Sequence, residues 1–259
     1  AERNAALRSL RRSAPDRARE LVVSTSQTEP AARRAAIVAE FAAGLSMADE
    51  PFLEAALDDR SKDVRDAAAD LLKSLPESRL VLRMIERSAA LLAWKPGLLG
   101  IGKGSLEIQT PPSCDKSLAR DGVPPKPGHR SNLGERAWLL REVLAATPPS
   151  RISERLGVSA ARIVATGLET EWREALLEGW SVSATRSRDA EWAEALLDAS
   201  SWTPDAPREL LRDRGLFEIL PARRRAEVFQ KVLRDTPDPL RSYHPAASLV
   251  SALGDAMTP

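Results

Sequence analysis

The sequence predicts an all-α fold: short helical hairpins stacked side by side as an α-solenoid, interrupted by an irregular Pro/Gly-rich insertion. Three observations carry that expectation. Residues 48–75 read as two short helices joined by the acidic turn Asp58-Asp59, each with a single apolar face. Such a pair cannot bury its face alone, so it calls for neighbours of the same kind on either side. Helical segments also echo one another along the chain. Finally, Ala and Leu carry most of the 43% hydrophobic content while Val, Ile, Tyr and Phe are sparse, a balance that favours helices over sheets.

In chain order, Pro30 and Pro51 stand where helices begin, since a missing N–H costs nothing in a first turn. The stretch Ala32–Phe41 is helical and ends at Gly44, a left-handed cap. The next helix buries Phe52, Leu53, Ala56 and Leu57. Ser61 then caps a helix whose apolar positions Val64, Ala67, Ala68, Leu71, Leu72 and Leu75 share one face, with Lys62, Asp66, Asp70 and Lys73 opposite. Pro76 stops it, and Ser78–Ala93 reads as another helix. Residues 94–131 hold many of the prolines and glycines, show no helical period, and contain one strand candidate, Leu106–Gln109. Helices resume from Asn132, with Glu135 completing a capping box, over 135–146, 151–156, 159–166, 170–182, 188–199, 205–214, 221–235 and 244–256. The expected organisation is a helical block at 1–93, an irregular insertion or linker at 94–131 and a second helical block at 132–259.

Two echoes support repetition. Glu29-Pro-Ala-Ala-Arg33-Arg-Ala35-Ala36 matches Ser61-Lys-Asp-Val-Arg65-Asp-Ala67-Ala68 at an offset of 32 residues. Glu171-Trp172-Arg-Glu174-Ala-Leu-Leu177 recurs as Glu191-Trp192-Ala-Glu194-Ala-Leu-Leu197 at an offset of 20. Trp172 and Trp192 are expected to pack in the core. Trp180 and Trp202, at helix ends, are candidate exposed anchors for a partner.

The formal net charge is +1, so no global field draws the chain to nucleic acid or anionic lipid. Locally, residues 2–40 hold eight Arg against five acids and residues 49–79 five bases against nine acids, a pattern read as solvated helix faces. The Arg223-Arg224-Arg225 run opens a helix expected to bury Ala222, Ala226, Phe229 and Leu233 and to leave the arginines in water. Cys114 is the only cysteine, which excludes an intramolecular disulfide and suggests a reducing, cytoplasmic setting. No apolar run reaches the ~18 residues of a membrane span, and no signal peptide is recognisable. The start on Ala1 rather than Met is what a piece of a longer polypeptide would show.

Motifs that would carry chemistry fall short of their requirements. Gly97-Leu-Leu-Gly-Ile-Gly102-Lys103-Gly104-Ser105 approaches a phosphate-binding loop, but Gly104 stands where Mg²⁺ needs a hydroxyl, and a helix precedes where a strand should. Residues 150–166 match a helix-turn-helix, with Gly157 at the turn and Ile152, Leu156, Val158 and Ile163 at the packing positions. Its second helix, however, offers a groove essentially Arg162 alone. His129 and His244 are the only histidines and lie in unrelated contexts, so no metal set emerges. Cys114, in a Pro-Pro-Ser-Cys-Asp run, lacks the surroundings that activate a thiolate.

Residues 51–75 resemble the HEAT repeat through Pro51, Leu53, Leu57, Asp58-Asp59, Val64-Arg65, Ala68 and Leu71-Leu72. The resemblance implies that Asp59 and Arg65 brace the hairpin and link successive repeats. Residues 48–61, Arg120-Asp121-Gly122 and the paired Trp-x-x-Ala-Leu-Leu helices also resemble the C-terminal part of a bacterial family of HEAT-like proteins. Its genes lie beside those of MoxR-type AAA ATPases, von Willebrand factor A-domain proteins and SWIM zinc-finger proteins. What this implies is a scaffold or adaptor in such a system, without known catalytic residues. Together with the lone cysteine and the lack of a metal set, the expectation is a cytoplasmic protein that binds a protein partner and needs no cofactor or metal. The alternative is nucleic-acid binding, either like HEAT-like DNA glycosylases or through the helix-turn-helix at 150–166. The first form would require Arg8, Arg11, Arg12, Arg33 and Arg34 to converge on one surface. A third reading, an enzyme with a pocket around 94–131, rests on Arg120 and Asp121, which are also the candidate partner-binding residues of that segment.

Overall fold

The computed structural model describes residues 2–25, 28–97, 103–129, 131–199 and 215–235, and these are mostly helical. They fall into two compact units, residues 1–90 with 110–147 and residues 91–109 with 148–259. The units part at 90/91, 109/110 and 147/148, so the segment at 94–131 is divided between them rather than forming a body of its own.

The first unit opens with α1 (Glu2–Ser13) and α2 (Pro15–Thr25). Pro15 has no N–H to return to Arg11, and the helix breaks there, leaving Ala14 as an elbow that bonds Leu10 O on one side and Ala18 N on the other. Next come α3 (Ala31–Ala39), 3₁₀ turns at Glu40–Ala42 and Met47–Asp49, and α4 (Glu50–Ala56), which carries Pro51 in its first turn. The helices α5 (Lys62–Leu72) and α6 (Arg79–Leu91) follow. Both α3 and α4 pack on α5. The core runs through Phe41, Leu53, Leu57, Val64, Ala68, Leu72, Leu80 and Met84, all essentially without solvent contact. Phe41 stacks on Phe52 at 5.0 Å. Gly44 does take the left-handed conformation (φ 65°), and a Cβ there would sit 2.7 Å from Arg11 O, so the close approach of α1 to this turn also requires glycine. Ser61 occupies the N-cap of α5, but its hydroxyl makes no cap bond. Its own N–H donates instead to Asp59 Oδ1 at 2.7 Å.

The short α7 (Lys116–Arg120) follows, and Ser117, Asp121 and Gly122 lie against α5 and α6; α8 (Glu135–Ala145) comes next. Leu118 and Val123 are buried there, and Gly122 (φ 74°) comes so close to α5 that a Cβ would lie 2.5 Å from that of Ala69. The N-cap of α8 is Gly134, not Asn132.

In the second unit the helix expected to run to Ala93 stops at Leu91, and Leu92–Lys95 becomes strand β1. It pairs antiparallel with β2 (Ser105–Ile108), with Leu92 opposite Ile108 and Lys95 opposite Ser105. Trp94 lies between the Arg162 guanidinium, 5.2 Å from its ring, and Gly104, whose Cβ would fall within 2.5 Å of it. The remaining helices are α9 (Pro149–Leu156), α10 (Ala160–Gly167), α11 (Arg173–Ser187), α12 (Ala190–Ala199) and α13 (Ala222–Asp235). On α11, consecutive residues Ala175 to Leu177 and Gly179 to Ser181 are buried, so it is enclosed rather than striped. The two Trp echoes are not equivalent: Trp192 is buried inside α12, whereas Trp172 precedes α11 as its half-buried N-cap. Ala222 and Ala226 of α13 face solvent and Val228 is buried. Arg224 is not simply solvated, because it bridges to Glu194 at 2.5 Å on α12. The expected helices at 205–214 and 244–256 lie outside the described residues.

Candidate functional site

Along α1, the apolar residues Leu7 and Leu10 stay partly open to solvent, and on α2 Val22 turns inward while Leu21 stays 53% exposed. With Ile37 of α3 they line a groove of about 710 Å³ in the first unit. Its polar margin consists of Glu2, Arg3, Asn4, Thr25 and Arg33. Arg3 and Arg33 both donate to Glu29, at 3.0 and 3.1 Å. The carboxyl of Glu29 is held below its ordinary range, chiefly by the hydrogen bond from Arg33. An apolar trough with a few charged groups at its edge is chemically suited to binding. It holds no arrangement of nucleophile and base.

Three other arginines of α1 and α3, Arg8, Arg11 and Arg34, are paired with carboxylates of the same chain. Arg11 and Asp49 are both fully buried and share two hydrogen bonds, at 2.9 and 2.6 Å. Arg11 also donates to the carbonyls of Ala43, Pro15 and Gly44, and its guanidinium lies 4.3 Å from the Phe41 ring. Burial alone would raise the Asp49 carboxyl, but hydrogen bonds from Arg11, Arg19 and the Ser46 N–H outweigh it and hold the group below the usual range. Arg8 forms a fork with Glu40 at 2.7 and 3.0 Å, and Arg34 a fork with Asp59 at 3.0 and 2.6 Å. Of the five arginines that a nucleic-acid surface would need, Arg11 and Arg34 are buried, and Arg8 and Arg33 are paired.

Asp59 and Arg65 meet through the backbone: Arg65 Nη1 donates to the Asp59 carbonyl at 2.7 Å. The Asp59 carboxylate faces the other way, toward Arg34 on α3, which lowers its pKa. Arg120 and Asp121 belong to a lattice of internal ion pairs. Arg120 donates to Asp58 (both bonds 2.8 Å) and to Glu54 (2.9 Å), and these bonds push its pKa further up. Asp121 is 1% exposed and accepts from Arg83 (2.6 Å) and Arg87 (2.6 Å). Lys73 Nζ reaches the Gly122 carbonyl at 3.4 Å. The two residues therefore fasten the 110–123 segment to α4 and α6. Asp121 has no surface to offer a partner or a substrate, because its oxygens are occupied by guanidinium groups of its own chain.

Trp180 is fully buried, 5.3 Å from Trp192 in an edge-to-face arrangement, and so is core rather than an exposed anchor. Its place on α11 does not disclose this, because the ring that meets it, Trp192, comes from α12. Trp202 lies outside the described residues, as does His244. In the 97–105 loop, Lys103 pairs with Glu169. Gly157 has the positive φ a helix-turn-helix turn needs (64°), yet the exposed face of α10 is Ala161, Arg162 and Ala165, with Arg162 over Trp94. Burial pushes the Cys114 thiol up, reinforced by Asp115 and Glu135, which is the reverse of activation. Among the described residues no group of three or more His, Cys, Asp and Glu is placed to hold a metal. Among them, too, no helix is long and apolar enough to cross a membrane. The groove residues Leu7, Leu10, Leu21 and Ile37 went unnoticed in the sequence. Leu7 and Leu10 are spaced as on any amphipathic helix, and nothing local to α1 shows that Leu21 and Ile37 come to lie beside them.

Fold and site together define a mostly helical protein with a dense set of ion pairs among residues 3–121 and, in its first unit, a groove lined by Leu7, Leu10, Leu21 and Ile37. The chain belongs to the family described as "Family of unknown function (DUF5691)", whose model matches residues 1–259. No curated protein and no solved structure matches it.

Proposed function

We propose that the protein is a non-catalytic scaffold or adaptor that binds another protein, built on stacked helical hairpins of HEAT-like type. The observation that carries the reading is the groove on α1, α2 and α3, where Leu7, Leu10, Leu21, Val22 and Ile37 share the lining with the polar residues Glu2, Arg3, Asn4, Thr25 and Arg33. The stacked-hairpin part is supported by the packing of α3 and α4 on α5 and by Asp59, which joins the turn before α5 to Arg34 on α3. Service to an AAA ATPase-associated bacterial system in the cytoplasm is the setting that the resemblance implies.

Internal pairing of Arg8, Arg11 and Arg34 weighs against the glycosylase-like form, and the sparse exposed face of α10, with Arg162 its one basic residue, weighs against residues 150–166. A guanidinium already neutralised by Glu40 or Asp59 is not free to neutralise a phosphate and displace the counterions condensed on a nucleic acid. The test is affinity capture with the intact protein from its native cells, with nuclease treatment and a salt series. A defined protein retained after nuclease is expected. Recovery of nucleic acid alone, with a salt-dependent gel shift, or recovery of nothing, would overturn the proposal.

A further inference from the structure

We infer that the groove on α1, α2 and α3 receives one amphipathic α-helix of a partner protein, with acidic residues flanking its apolar face. This deepens the protein-binding reading and rests on it.

The trough is lined by side chains at helical spacing. Leu7 and Leu10 are three residues apart on α1, Leu21 and Thr25 four apart on α2, and Ile37 lies four beyond Arg33 on α3. Rows at these spacings are helix ridges, and the natural complement of a groove between helix ridges is the ridge of another helix. The same unit shows the pattern filled, since α5 lies on both α3 and α4. It also shows an apolar face closed by other means: on α5 and α6, residues 110–123 supply Leu118 and Val123 and bolt themselves down through Asp121. The α1–α3 face has no such cover among the described residues. A stack of hairpins requires a polar outer face at its ends, and a side chain like Leu21, 53% exposed in a groove, does not supply one.

Charge selects among helices. Arg3 and Arg33 are 72% and 53% exposed, and they share a single carboxylate, Glu29, that is only 15% exposed. Counted with Glu2 and Glu29 the four charges of this edge balance, but both guanidinium groups stand out into solvent beside the trough while Glu29 is withdrawn. Glu2, the other acid of the margin, lies in the first turn of α1, where the helix N-terminus offsets its charge. A partner carboxylate beside Arg3 and Arg33 gains two guanidinium donors, whereas a basic helix meets repulsion there.

The experiment uses the full chain and two labelled helical peptides of about 16 residues, long enough for four turns. One carries Leu at i, i+4, i+7 and i+11 with Glu on both flanks, and its twin carries Lys in place of every Glu. Fluorescence anisotropy is expected to show saturable binding of the Glu peptide, weakened at least about tenfold by Leu21→Asp. Arg3→Glu with Arg33→Glu is expected to invert the preference toward the Lys twin. Leu21→Ser provides a second variant should the aspartate disturb folding, which thermal unfolding will read. Equal affinity for the two peptides, indifference to both Leu21 variants, or no saturable binding below about 1 mM overturns the inference. So does concentration-dependent self-association abolished by Leu21→Asp, which would make a second copy the occupant. If the capture experiment returns the same partner with wild type and Leu21→Asp, protein binding stands and the groove is not its site.

Discussion

Replacing Asp49 by Ala removes the one carboxylate that, among the described residues, pairs with the fully buried guanidinium of Arg11. Arg11 would keep its bonds to the carbonyls of Ala43, Pro15 and Gly44 but lose two charge-assisted bonds of 2.9 and 2.6 Å. Arg19 would lose a third bond, of 3.0 Å, and the Ser46 N–H a fourth, also of 3.0 Å. Individually, hydrogen bonds to charged groups are worth about 1.5–3 kcal/mol, but they are not additive here because they share one carboxylate. Breaking a buried pair on one side costs about 3–5 kcal/mol, the range expected for Asp49→Ala. Arg11→Met should cost less, about 2 kcal/mol, because Asp49 then keeps Arg19, which is partly in water, together with the Ser46 N–H. Urea unfolding at neutral pH, with hydrogen exchange resolving α1 and residues 40–49, measures both. A cost for Asp49→Ala under about 1 kcal/mol, or one smaller than that of Arg11→Met, would refute the claim that an uncompensated Arg11 dominates.

Two further outcomes follow from the same network. Asp49, Glu50, Asp58 and Asp59 all titrate below their ordinary values; burial opposes this at Asp49, and hydrogen bonds from Arg79, Arg120 and Arg34 lead at the other three. Carboxylates depressed in the folded state stabilise it fully above their unfolded pKa of about 4 and lose that contribution as pH falls through the folded values. Unfolding free energy should therefore be flat with respect to these groups from pH 7 to about 5 and decline below about 4; a decline complete above pH 5 would contradict it. Gly122→Ala is expected to cost about 1–3 kcal/mol, since φ is 74° and the new Cβ would strike Ala69. Exchange at residues 115–123 should rise above that of α3 if the segment is released there, and uniform protection would show that it is not.

The helices, Gly44 as a turn and Pro51 as a helix start were legible because each depends on residues within one or two turns. Val64, Ala68 and Leu72 recur at steps of four, and backbone geometry alone brings them to one face. What the sequence could not determine is whether an arginine is wet or dry. The eight arginines of residues 2–40 read as a solvated face, yet Arg11 is sealed by Asp49, 38 residues away, and Arg34 by Asp59, 25 residues away. Arg120 and Asp121 were legible as an unusual pair, but their partners on α4 and α6 lie tens of residues off in the chain, and those partners make them fasteners. The boundary at Leu91 was lost for the same reason: β1 exists because residues 105–108 are there to pair with it. Apolar periodicity is a property of neighbours in the chain, whereas desolvation and ion pairing are properties of neighbours in space, and only the tertiary structure brings those together.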